Sequence, residues 1–121
     1  MDHKTLELQI MIDLQKHLPL GRVFRFDAGT AFVPFSVEKF IKTRNRKDQQ
    51  RVSYGVVGFP DILFIGYGRM IGIEVKVGKD VQSPGQIAMQ KTFLECGHEY
   101  VLFTDKQEYK KQIEGIVCLI A

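Results

Sequence analysis

Cysteine is scarce in this chain. Only Cys96 and Cys118 occur among 121 residues, with no C-x-x-C pair and no histidine cluster, so neither a zinc site nor a disulfide framework is supported. Both cysteines are expected to be buried as small apolar residues. Long uncharged apolar runs are missing too. The N-terminus, MDHKTLELQIMIDLQKHL, interleaves acids and bases with its apolar residues, a pattern that fits neither a membrane span nor a secretory signal. The expected compartment is therefore the cytoplasm, of a bacterium or of a virus's host cell. There is no internal repeat, no low-complexity tract and no composition typical of disorder. With 45% hydrophobic and 26% charged residues the chain reads as one ordinary globular domain built on a single core.

Charge is unevenly spread. The segment EKFIKTRNRKDQQR, from Glu38 to Arg51, holds six bases against two acids, a local +4 that leaves −1 for the rest of a chain whose total is +3. Such a patch is the electrostatic footprint of a polyanion binder, with Arg44, Arg46, Lys47 and Arg51 as contact candidates. A solvated loop or helix face accounts for it equally well.

The apolar spacing of Leu6, Ile10, Leu14 and Leu18 predicts a helix over 4–18 that ends near Pro19 and Gly21. VFRFD (23–27) alternates like a strand. From 28 to 57 no period is sustained, so a basic, irregular insertion is expected there, with a short helix at Val37–Thr43 as an option. DILFI (61–65) and MIGIEVKV (70–77) form a hairpin around GYGR, whose two glycines are available for positive φ. A helix over SPGQIAMQKTFLE follows, with Ser83 as N-cap and Gly97 past its end. EYVLF (99–103) is a strand. Thr104 and Gln107 suggest a capping box for a helix over about 105–114, and IVCLI reads as a short edge or dimer strand.

The second hairpin arm carries the chemistry. Alternation puts Ile71, Ile73, Val75 and Val77 on one face and Gly72, Glu74 and Lys76 on the other, which is expected to face solvent. Hydrolysing a phosphodiester needs an activated water, stabilised phosphoryl charge and help for the leaving oxygen, and divalent metal ions held by oxygen ligands supply all three. Paired strands lie only about 5 Å apart, so Asp61 at the start of one arm and Glu74 within the next can share Mg²⁺ or Mn²⁺, with the Val75 carbonyl as a further ligand. Lys76 can orient the water or neutralise developing charge. Gln86, at a helix N-terminus, can reach the water or a phosphate. Each piece has a plainer account: a surface ion pair for Glu74 and Lys76, a strand start for Pro60-Asp61, a surface position for Gln86.

Together, P-D, twelve residues, E-V-K and then S-P-G-Q resemble the PD-(D/E)xK nuclease superfamily. The stretch GFPDILFI…IGIEVKVGKDVQSPGQIAMQKTFLECGHEYVLFTD is similar to its VRR-NUC family over residues 58–105, and loosely over the first helix and strand. The resemblance implies a restriction-endonuclease-like α/β core of αβββαβ type, a mixed sheet flanked by helices. It also implies a metal-dependent DNA endonuclease, for small stand-alone members a homodimer cutting branched DNA such as four-way (Holliday) junctions. On that likeness Asp61 and Glu74 are metal ligands, Lys76 is catalytic, Gln86 supports the site, and Glu7 matches an acid on the superfamily's first helix. An amphipathic helix explains Glu7 equally well. Arg25 and Lys79, in the turn Gly78–Asp80, are phosphate-contact candidates or ordinary exposed cations. The open alternatives are a flap, nicking or restriction-like nuclease, a non-catalytic nucleic-acid-binding module, and a subunit active only with a helicase or recombinase.

Overall fold

The computed structural model describes residues 2–26 and 58–120, together with the backbone of 29–34 and 49–54. Along the described chain run α1 (His3–His17), β1 (Arg22–Arg25), β2 (Gly29–Pro34), β3 (Gln49–Tyr54), β4 (Ile62–Gly66), β5 (Arg69–Lys76), α2 (Pro84–Glu95), β6 (Glu99–Thr104) and α3 (Tyr109–Ile120). Two compact units result, one of Met1–Phe26 with Val57–Ala121 and one of Asp27–Val56. In the smaller unit β2 and β3 pair antiparallel from Gly29 opposite Tyr54 to Pro34 opposite Gln49. The irregular structure expected over 28–57 is thus corrected for these twelve positions, where ladder hydrogen bonds make strands out of a sequence with no clean alternation. The helix considered at Val37–Thr43 lies outside the described residues.

The larger unit is α/β, with a four-stranded mixed sheet in the order β1-β4-β5-β6. β4 pairs antiparallel with β1 and β5, and β5 runs parallel to β6. Alternation along the central strands sends Ile62, Phe64, Ile71, Ile73, Val75 and Phe103 to one face, where Leu6, Ile10, Leu14, Ile113 and Ile116 of α1 and α3 cover them. Full burial of each such aliphatic side chain is worth about 1.5–3 kcal/mol, so this face anchors the fold. The other face carries a smaller cluster of Leu63, Phe93 and Tyr100, with Phe59, Met70 and Met89 against it, beneath α2.

α1 begins where the Asp2 carboxylate accepts from the Thr5 N–H at 2.7 Å. The β4–β5 turn puts Tyr67 (φ 55°) and Gly68 (φ 72°) at its centre, both in the left-handed region that a two-residue hairpin demands. Tyr67 takes the position that Gly66 was expected to supply.

Three further expectations change. The last helix spans 109–120 and absorbs IVCLI, because Ile113 and Ile116 with Val117 and Ile120 form a helical stripe packed on the core. Gln107 caps nothing. Instead Gln112 clamps Thr104, accepting from its N–H at 2.9 Å and donating to its carbonyl at 2.7 Å. Both cysteines are exposed, Cys96 at the C-cap of α2 and Cys118 on the outer side of α3. No described helix is long and apolar enough to cross a membrane.

Candidate active site

Two close approaches build the site. Gly58 adopts φ 81°, and a Cβ there would stand 2.2 Å from the Gly85 carbonyl oxygen, so only glycine lets the loop before Asp61 lie against the start of α2. At Gly72 a Cβ would meet Phe93 and Pro60, each at 2.9 Å, so the bare backbone lets α2 and the Pro60 loop close over β5. As a result, the face that alternation assigned to solvent is covered. Glu74 is only 2% exposed and Lys76 12%, which corrects the expectation of solvent-facing side chains.

Among the described residues no buried side-chain polar atom lacks a hydrogen-bond partner. Gln86 Nε2 donates to Glu74 Oε1 at 2.8 Å, and Lys76 Nζ donates to Gln86 Oε1 at the same distance. The Ser83 N–H also donates to Gln86 Oε1 at 2.8 Å, completing a capping box with Ser83 Oγ. One glutamine therefore caps α2 and links the acid to the base. Lys76 Nζ stands 3.7 Å from Glu74 Oε1 and 4.0 Å from Asp80. The Tyr100 hydroxyl donates to Glu74 Oε2 at 3.1 Å, and Asp61 Oδ2 accepts from the Val75 N–H at 2.9 Å, tying β4's entrance to β5.

On the far side of Asp61 lies the first turn of α1. His3 Nδ1 is 3.1 Å from Glu7 Oε1, while Nε2 is 2.8 Å from the Val75 carbonyl oxygen and 3.4 Å from Asp61 Oδ2. Glu7, 3% exposed, also accepts from Arg25 Nε at 2.8 Å.

Electrostatics follow from this crowding. Burial, reinforced by the Asp61 charge and by hydrogen bonding with Asp61, pushes the Glu74 carboxyl up to about 8 against the relief given by Tyr100 and Lys76. Burial also raises Glu7, opposed by its hydrogen bond from Arg25 and reinforced by Asp61. The Tyr100 hydroxyl is held well above its ordinary value by burial and by the Glu74 charge. Buried Glu74 thus lies between the partly exposed Asp61 and one lysine, and the carboxylate oxygens are of the type that could serve a cation as ligands.

Asp61, Glu74, the Val75 carbonyl, Lys76, Gln86 and Glu7 therefore sit in one neighbourhood. Arg25 is placed against Glu7, and Lys79 is on the exposed turn that Asp105 fastens through the Gly78 N–H. Arg44, Arg46 and Lys47 lie outside the described residues, as does the side chain of Arg51 in β3. Sequence reasoning missed His3 and Tyr100. The i, i+4 spacing of His3 and Glu7 was the readable signal for the first; the second becomes visible only once β6 pairs parallel with β5, placing Tyr100 opposite Gly72. The chain matches no protein-family model, no curated protein and no solved structure.

Proposed function

We propose that this chain is a metal-dependent DNA endonuclease of PD-(D/E)xK type, resembling the VRR-NUC family, whose preferred substrates are branched DNAs such as four-way junctions. The observation that carries the reading is the joined set at the entrance to β4, on β5 and on α2, in which Glu74 adjoins both Asp61 and Lys76 and Gln86 bridges acid to base. A structural ion pair would need neither the neighbouring Asp61, itself 22% exposed, nor a glutamine committed to both partners.

The donors suit a hard dication. Asp61, Glu74 and the Val75 carbonyl are oxygen ligands of the kind Mg²⁺ and Mn²⁺ prefer, and a dication beside Glu74 would displace the proton that burial and the Asp61 charge favour there. A dication held there supplies charge stabilisation for the scissile phosphate and acidifies a water. The chain's own residues do the rest. Lys76 Nζ, fixed by Gln86, places a positive charge where the phosphoryl oxygens accumulate negative charge. Gln86 keeps that amine from collapsing onto Glu74, and the lid of α2 over β5 holds both in a setting of reduced solvent screening. The basic segment 38–51 is assigned to the DNA backbone.

A two-fold dimer would present two such sites for paired cuts on a symmetric junction. The test is a labelled panel of duplex, single strand, flap, fork and four-way junction incubated with Mg²⁺ or Mn²⁺. Paired symmetric cuts confined to the junction are expected. Cutting of flaps or nicking of duplex would replace the junction by those substrates, and no metal-dependent cleavage of any member would overturn the nuclease reading for the isolated chain.

A further inference from the structure

His3 was not among the expected site residues, yet both its ring nitrogens meet atoms of the site: Glu7 Oε1 at 3.1 Å on one side, the Val75 carbonyl at 2.8 Å and Asp61 Oδ2 at 3.4 Å on the other. A neutral imidazole donates through one nitrogen and offers a lone pair on the other. A neutral ring with oxygen acceptors on both sides satisfies only one side; a protonated ring would donate to both, and a cation taking up the lone pair would serve the second side. The ligand atoms of His3, Glu7 and Asp61 all fall within 4.8 Å of one another. Metal–ligand bonds of about 2.1 Å put cis donors about 3 Å and trans donors about 4.2 Å apart, so the three converge at close to coordination spacing before any adjustment. Arg25 occupies Glu7 Oε2 at 2.8 Å and leaves Oε1 turned toward the imidazole.

We propose that His3, Glu7 and Asp61 form a second cation position beside the Asp61–Glu74 pair, one whose nitrogen donor selects a first-row transition dication such as Mn²⁺ over Mg²⁺. This rests on the neighbouring centre being metal-binding, with Asp61 common to both positions. The selectivity has a simple cause. Carboxylate and carbonyl oxygens serve Mg²⁺ and Mn²⁺ alike, whereas imidazole is a poor partner for Mg²⁺ and a good one for first-row transition ions. His3 is on the first turn of α1 and 37% exposed, so the ring can adjust to an ion without disturbing the core behind it.

The test titrates the metal-free full chain with Mn²⁺ alone, followed by electron paramagnetic resonance, and records the pulsed spectrum of the bound ion for nitrogen coupling. Wild type is expected to bind Mn²⁺ with nitrogen modulation. In His3→Ala that modulation should vanish and Mn²⁺ affinity should fall about tenfold or more, with Mg²⁺ affinity, read by competition, falling less. The wild-type spectrum requires no variant, so a folding defect in His3→Ala does not compromise it. Mn²⁺ bound without nitrogen coupling, or coupling retained in His3→Ala, overturns the proposal and leaves the Asp61–Glu74 centre standing. Equal losses for Mn²⁺ and Mg²⁺ overturn the selectivity. A wild type that binds no Mn²⁺ removes both the proposal and the centre on which it rests.

Discussion

The two faces of β5 have the same backbone and nearly the same burial, yet they are built for different ends. On one, Ile71, Ile73 and Val75 are fully buried against α1 and α3. On the other, Gly72, Glu74 and Lys76 lie beneath α2 with a glycine that makes room for Phe93 and Pro60. Burying an acid costs free energy unless hydrogen bonds or countercharge offset it, and here Gln86, Tyr100 and Lys76 do so only in part, since the Glu74 carboxyl remains raised. A strand that only filled space would have no use for this second face. The contrast separates a face that sets stability from one that, on the proposed reading, gives up stability for a metal site.

The largest expected effect falls on the polar face. Asp61→Asn should lower metal-dependent cleavage by roughly 10³-fold or more while its circular dichroism and melting stay close to wild type; retained turnover would move the site elsewhere. On the apolar face the pattern should reverse. Ile73→Ala should cost about 2–5 kcal/mol of stability, read by urea denaturation, with cleavage per folded molecule largely kept. If instead Ile73→Ala abolishes cleavage in fully folded protein, the two faces are not separable.

A smaller effect depends on pH. Glu74 titrates near 8 in the folded chain and near its ordinary 4.5 when unfolded, so the folded state holds the proton more tightly. The resulting stabilisation is fully present below about 4.5 and lost as pH rises through about 8. Glu74→Gln keeps the shape and cannot ionise. It should therefore be within about 1 kcal/mol of wild type in stability at pH 5 and more stable at pH 8, by up to about 4 kcal/mol, while losing metal binding. Equal stability of the two proteins at pH 8 would show that the buried acid carries no strain.

The smallest expected effect concerns the basic segment. Reversing charge at Arg44, Arg46 and Lys47 should weaken DNA binding and flatten its salt dependence by up to about three counterions. An unchanged slope would assign the DNA contact to other residues.

Much of the site was readable because strands and caps leave strong local marks. The period-two pattern of 70–77 sorted β5's two faces correctly, and Ser83 with Gln86 gave the start of α2, where the capping glutamine also reaches Glu74 and Lys76. What alternation cannot report is whether the polar face is open, because that depends on α2 folding back over Gly72. The end of the chain misled for a related reason. IVCLI is a short apolar run, equally suited to a strand or to a buried helical stripe, and only its packing with Ile113 and Ile116 against the core decides for the helix. Cys96 and Cys118 were expected inside from residue type alone, which says nothing of the helix side each occupies. The register that brings His3 over the end of β5 is a tertiary fact with one faint sequence trace, its spacing from Glu7.

The most direct measurement is the single-turnover rate of four-way junction cleavage at saturating Mg²⁺ or Mn²⁺ for wild type and Lys76→Ala. Paired cuts by the wild type, slowed roughly 10²- to 10³-fold in the variant with junction affinity little changed, are the predicted result. Equal rates in the two proteins would contradict the assignment of β5's polar face as the catalytic site.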